Sequence, residues 1–277
     1  MPNNLPDIIR ITESELAGYG GMIVRSVAIK GSKQQLIVDS LVKPADILSL
    51  GQPSIIVYSH SDWDHCWGSG AWPGALVVGH DLCKTRLSQP ETAKQLQRRE
   101  QANPAAFLGS EIVLPDLTFS DSLTIDAGGF TVILQHEPGH TADSIMLYIP
   151  EHDLLIAGDS VEDPLLSINE PGHIRHWMAR LRYYADAGVK QVIPSHGAAV
   201  LGPDFLRRNA DYLQELWQQV ANLHGQGVPL EEMQQRLPIE RYVEPSANLI
   251  PYYYKTHLAN IGNVLAELTG AAKNPPA

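Results

Sequence analysis

The chain has 277 residues, 44% hydrophobic and 18% charged, a balance that suits a packed core and excludes a disordered polymer. Its 31 acidic and 20 basic residues leave a formal charge of −11, a field that repels nucleic acid and anionic membrane surfaces. Two cysteines, Cys66 and Cys83, are too few for a disulfide framework, so a reducing, cytoplasmic setting is expected.

In chain order, the opening Met1-Pro2-Asn3-Asn4-Leu5-Pro6 has neither the basic region nor the apolar run of a signal peptide. No later stretch approaches the ~20 apolar residues that span a bilayer. Short Val-, Ile- and Leu-rich runs at 23–29, 35–38, 54–58, 75–78, 130–134, 144–149 and 154–157 predict buried strands. Pro90-Glu91 opens a helical stretch that carries Arg98-Arg99 on a solvated face. Ile174, Trp177, Leu181 and Tyr184 recur at helical spacing, and Gly188 follows as a C-terminal cap. Beyond Gly202 the pattern becomes wholly helical. Leu206, Ala210, Leu213, Trp217, Val220 and Leu223 mark a long amphipathic helix, 230–237 a short one, and Tyr254, Leu258, Ile261, Leu265 and Leu268 a last one. The division expected is a mixed strand and helix domain over 1–202 and a helical extension over 203–277.

The chemistry concentrates after the strand at 54–58, in Tyr58-Ser59-His60-Ser61-Asp62-Trp63-Asp64-His65-Cys66-Trp67-Gly68. Four candidate ligands, His60, Asp62, Asp64 and His65, fall within six residues, and such a cluster is buried only around a cation. Three further candidates lie at strand ends beside a glycine: His140 in Pro138-Gly139-His140, Asp159 in Gly158-Asp159-Ser160, and His196 in Ser195-His196-Gly197. Strand ends share a rim, so ligands distant in sequence can converge there.

This order of motifs resembles the metallo-β-lactamase superfamily, whose pattern is His-x-His-x-Asp-His, then Gly-His, Gly-Asp and Gly-His, over about residues 7–202. The resemblance implies an α+β fold, a four-layer αββα sandwich with metals at one edge of the sheets. It implies that His60, residue 62 and His140 bind one metal, that Asp64, His65 and His196 bind a second, and that Asp159 bridges them. The sequence departs from the pattern at Asp62, where the family has histidine. Aspartate ligates zinc, iron and manganese, so two divalent ions are expected, zinc first, with iron or manganese favoured by the harder oxygen. Two such cations acidify a shared water to near neutrality, and Asp64 would orient this nucleophile and pass a proton to the leaving group.

The expected activity is hydrolysis of a small ester, lactone or thioester. The alternatives are an iron-dependent oxidoreductase of the same superfamily, suggested by Asp62, and a phosphodiesterase. The expected partner is a small-molecule substrate, with neither nucleic acid nor membrane. No Gly-x-Ser-x-Gly elbow offers a serine nucleophile. His136 and His80 are read as lying outside the ligand set. His173 and His176 flank a helix start, and His152, His224 and His257 read as surface or helix residues. Cys66 is read as a small buried residue, and Trp63, Trp67 and Trp72 as packing around the metal loop. The C-terminal helices either cap the site, form a homodimer surface, or pack as core.

Overall fold

The computed structural model describes residues 5–244, 247 and 249–271. Six strands form the first sheet in simple order: β1 (Ile9–Glu15), β2 (Ile23–Lys30), β3 (Gln35–Val38), β4 (Ile55–Val57), β5 (Leu76–His80) and β6 (Leu117–Phe119). Between them lie the helices α1 (Pro44–Ile47), α2 (Trp63–Cys66), α3 (Asp81–Leu87) and α4 (Pro90–Ala102). The second sheet has the order β11-β10-β9-β8-β7, from β7 (Ser122–Asp126), β8 (Thr131–His136), β9 (Ile145–Ile149), β10 (Leu154–Gly158) and β11 (Gln191–Pro194). Helix α5 (Ile174–Asp186) crosses between β10 and β11, and α6 (Asp204–Gly225), α7 (Leu230–Arg236) and α8 (Pro251–Leu268) complete the described chain. None of the described helices is long and apolar enough to cross a membrane.

Successive residues of a strand face opposite sides of its sheet, and on the inner strands both sides are apolar. In β3, Leu36 and Val38 face the second sheet while Ile37 faces the helices; β4 repeats this with Ile55 and Val57 against Ile56. In the second sheet, Ile145, Leu147 and Ile149 point inward and Met146 outward, as do Leu154 and Ile156 against Leu155 and Ala157. The result is one dry core between the sheets and a second core beneath the helices. Each fully buried aliphatic side chain in them contributes about 1.5–3 kcal/mol. This is the four-layer arrangement that the sequence led one to expect.

The sequence reading had no strand at β1, β6 or β7. These strands have exposed or half-exposed positions such as Arg10, Glu13, Ser122 and Thr124, so their apolar signal is diluted. The last helix also differs in face. It buries Tyr253, Thr256, His257, Asn260, Ile261 and Val264, and leaves Tyr254 and Leu258 exposed. His257 is therefore a core residue, donating from Nε2 to the Leu237 carbonyl at 2.8 Å and accepting from the Tyr212 hydroxyl at 3.2 Å. An apolar periodicity misses such a face, because His257 and Asn260 are buried by satisfying specific polar partners. On α6, Leu216 is buried, whereas Trp217 is partly buried against the outer core.

Strands β3 and β4 run parallel, as do β10 and β11. The segments leaving their carboxyl ends, together with the β8–β9 connection, form one rim. The amide of Ile145 donates to the Ser59 carbonyl at 2.8 Å and stitches the two sheets together at that rim.

Candidate metal centre

All seven side chains singled out in the sequence meet on this rim. His60, His140 and Asp159 present ligand atoms within 4.8 Å of one another, as do Asp64, His65 and His196. Asp159 touches both groups. Its Oδ2 lies 3.8 Å from His60 Nε2, 3.5 Å from His140 Nε2 and 3.3 Å from His196 Nε2, and its Oδ1 lies 3.4 Å from His65 Nε2. Asp64 Oδ2 is 3.6 Å from His65 Nε2 and 3.5 Å from His196 Nε2. Asp62 Oδ2 is 3.6 Å from His60 Nε2 and 3.4 Å from His140 Nε2.

The four imidazoles are aimed by their other nitrogen. His140 Nδ1 donates to the Ser167 carbonyl at 2.7 Å, and His196 Nδ1 donates to the Ile23 carbonyl at 2.7 Å. His65 Nδ1 donates to Asp39 Oδ2 at 2.8 Å. Ser59 gives its own hydroxyl hydrogen to Asp39 Oδ2 at 2.7 Å, so it accepts from His60 Nδ1 at 3.0 Å. With every Nδ1 held by an acceptor, every Nε2 faces inward and offers its lone pair to a cation that displaces any proton there.

The chemistry of this donor set fits divalent cations. His60 Nε2, His65 Nε2 and Asp159 Oδ1 are buried without a hydrogen-bond partner among the described residues. Unpaired buried polar atoms are costly, and three pointing at one space call for a cation. Ligand atoms about 2.1 Å from a tetrahedral ion stand about 3.4 Å apart, close to the separations given above. Without a cation, protons carry the compensation. Burial pushes His140 and His196 down, but Asp62 and Asp159 outweigh it for His140, and Asp159, Glu162 and Asp64 for His196, raising each to about 9. Burial pushes Asp159 up, yet His196 and His65 hold it well below the usual carboxylate range.

The backbone is shaped to allow this. Gly197 has φ +73°, and an added Cβ would lie 2.0 Å from the Asp163 carbonyl oxygen. A Cβ on Gly139 would strike the Trp177 ring at 2.4 Å. Both ligand-bearing turns therefore need glycine for close approach.

Several supporting residues escaped the sequence reading. Asp39, buried with φ +60°, also accepts from the Ser59 amide at 2.7 Å, so it positions His60 and His65 together. A lone Asp after a strand at 35–38 is the only trace of it in sequence. Buried Arg25 on β2 donates to the carbonyls of Pro194 and Gly197 and so clamps the His196 turn. Asn260 on α8 accepts from the Ile168 amide at 2.8 Å and donates to the Leu166 carbonyl at 2.7 Å, fixing the segment whose Ser167 carbonyl aims His140. Asn169 Nδ2 stands 3.0 Å from Asp62 Oδ2 and 3.1 Å from His140 Nε2. These contacts join segments far apart in the chain.

The residues set aside in sequence stay outside the cage. His136 Nε2 donates to the Ala142 carbonyl at 2.8 Å and its ring stacks on His80 at 3.7 Å, while His80 Nε2 donates to the Ser120 carbonyl at 2.7 Å. His176 meets buried Glu137 at 3.2 Å. The buried Cys66 thiol donates to the Asp62 carbonyl at 3.2 Å, and burial pushes its pKa up, which keeps it a thiol. Trp67 and Trp72 are buried behind the loop; Trp63 is partly exposed and carries Arg99 over its ring at 3.9 Å.

Comparison with known proteins agrees with this picture. The sequence model of the family described as the Metallo-beta-lactamase superfamily matches residues 19–197. The chain is 25% identical over 167 residues to a linear primary-alkylsulfatase from Pseudomonas sp. (strain ATCC 19151), covering 55% of this chain and 31% of that protein. It is 32% identical over 110 residues to an atrochrysone carboxyl ACP thioesterase from Aspergillus novofumigatus (strain IBT 16806), covering 36% of this chain and 33% of that protein. The matches thus span about a third of the length of these curated relatives. Among solved structures, a metallo-beta-lactamase family protein from Thermus thermophilus superposes with a TM-score of 0.68 at 16% identity, covering 96% of this chain and 95% of that one.

Proposed function

The chain belongs to the metallo-beta-lactamase superfamily, and we propose that it is a metal-dependent hydrolase with a dinuclear centre acting on a small ester or thioester. The observation that carries this reading is the inward convergence of four Nδ1-anchored imidazoles and three carboxylates, with three of their buried atoms lacking a hydrogen-bond partner among the described residues. His60, Asp62 and His140 would hold one divalent ion, Asp64, His65 and His196 the other, and Asp159 both. Zinc suits the four imidazoles, and the oxygen of Asp62 leaves room for iron or manganese. Bound cations would supply a water acidified to near neutrality and a Lewis acid for the oxygen of the bond attacked.

The chain's own residues account for the rest. The Nδ1 anchors fix the ring orientations, so all four Nε2 atoms already face the cage and binding requires only the loss of a proton where one is carried. Asp62 and Asp64 are the more exposed carboxylates, with side chains 27% and 10% accessible against 7% for Asp159, so they mark the open side. There Asp64 would orient the attacking water and return its proton to the leaving group. An alkylsulfatase and a thioesterase among the relatives support an ester-like substrate, and the named substrates remain theirs.

The test is turnover of a panel of carboxylic esters, lactones, thioesters, sulfate esters and phosphodiesters by zinc-, iron- and manganese-loaded protein. Hydrolysis of an ester or thioester, abolished by a chelator and restored by metal, is expected. Fully loaded protein that turns over nothing in the panel would overturn the reading.

A further inference from the structure

The departure at position 62 comes with a partner. The two oxygens of Asp62 face different ways. Oδ2 faces His60 and His140 and accepts from Asn169 Nδ2 at 3.0 Å, whereas Oδ1 faces Arg86 of α3, with Nη2 at 4.0 Å. Arg86 is itself held in place. Its Nε lies 3.4 Å from Asp143 Oδ1, and its Nη1 donates to Glu170 Oε1. Glu170 Oε2 accepts the Ala142 amide at 2.8 Å, and Asp143 is wholly buried. The guanidinium thus lies against the turn that carries His140, and its Nη2 comes within ion-pair distance of the candidate ligand position where this chain leaves the family pattern.

We infer that Arg86 is the positioning residue for Asp62: its Nη2 edge takes Oδ1 so that Oδ2 is presented to the first metal. This inference rests on the reading of Asp62 as a ligand. The physical need is clear. An imidazole at this place is neutral and is aimed by a hydrogen bond from its second nitrogen. A carboxylate is shorter, bears a full charge and sits at the solvent edge, so it needs a cation or donor on its outer oxygen to keep one rotamer. Arg86 also serves Asp143 and Glu170, and a simple loss on mutation would not separate these duties. Non-additivity with position 62 does separate them, because a histidine there offers Arg86 no carboxylate.

The experiment compares the parent, Asp62→His, Arg86→Gln and the double variant, with Asp62→Ala as a control on the premise. The weaker of two Zn2+ equivalents is measured by chelator competition, and Co2+ spectra report the ligand set. Arg86→Gln should weaken that equivalent by about 10- to 100-fold in the parent and by less than about threefold in the Asp62→His background. Arg86→Lys, which keeps a charge beside buried Asp143, should show the same difference with a smaller loss and covers the case in which Arg86→Gln does not fold. Equal losses in both backgrounds, or none in either, would overturn the inference while leaving Asp62 as a ligand. Two tightly held zinc ions in Asp62→Ala would instead remove the premise, and the inference with it.

Discussion

Asp39 provides the most direct trial of how the cage is organised. In Asp39→Asn the shape and the φ of +60° are retained, since asparagine accepts the left-handed region readily. What changes is the hydrogen-bond sense. Three donors now point at the carboxylate: the Ser59 amide at Oδ1, and the Ser59 hydroxyl and His65 Nδ1 at Oδ2. An asparagine oxygen can keep the Ser59 amide, but its NH2 group then faces the other two donors. The Ser59 hydroxyl can rotate. His65 can only move its proton to Nε2, which turns an N–H into the cage and cancels a ligand lone pair.

Hydrogen bonds to a charged group contribute about 1.5–3 kcal/mol each. With one of the three retained and one partly recovered by rotation, a stability loss of about 2–4 kcal/mol follows. Zinc affinity at the Asp64–His65–His196 group should fall about 10- to 100-fold, the usual range for a lost partner of a metal-ligating histidine. Denaturant unfolding of the metal-free protein and chelator competition on the loaded protein measure the two effects separately. An Asp39→Asn protein with parental unfolding midpoint and parental zinc affinity would refute the claim that Asp39 sets the His65 tautomer.

Three other outcomes are expected. Asp159→Ala should remove at least one metal equivalent, read by elemental analysis after gel filtration, because its oxygens face both groups; two retained, tightly held metals would contradict the bridge. Zinc uptake at pH 7.5 should release at least about two protons, one each from His140 and His196, whose metal-free values stand near 9. Because these pKa values are raised, the protonated forms stabilise the metal-free protein below about pH 6.5 and that contribution is lost as pH rises through about 9. The share of the release owed to these two imidazoles should therefore shrink as pH rises through about 9, and pH-stat titration with zinc checks it. Asn260→Leu should cost about 2–4 kcal/mol by stranding the Ile168 amide and the Leu166 carbonyl, and should also weaken zinc binding through Ser167 and His140. Denaturation with and without zinc separates these effects, and unchanged zinc affinity would show that α8 does not reach the metal centre.

The amino-acid sequence alone pointed to the side chains that converge on the rim and to the layers that carry them. His60, Asp62, Asp64 and His65 lie in one short loop, and His140, Asp159 and His196 sit beside glycines at strand ends, so residue type and local spacing suffice to find them. The buried strands were legible for the same reason: β3, β4, β9 and β10 are apolar on both faces, and a continuous Val, Ile and Leu run is a local signal. Tertiary structure decided everything that depends on a partner distant in the chain. Asp39 reads as an ordinary turn residue until His65 folds onto it, and Asn260 breaks the apolar periodicity of α8 because its value lies in the Leu166 and Ile168 backbone, 94 and 92 residues away. Arg86 looks like one more surface cation until the fold sets it between Asp143, Glu170 and Asp62. Buried polar groups take their energy from specific complementary atoms and not from a periodic property of their own segment, so only the folded chain reveals them.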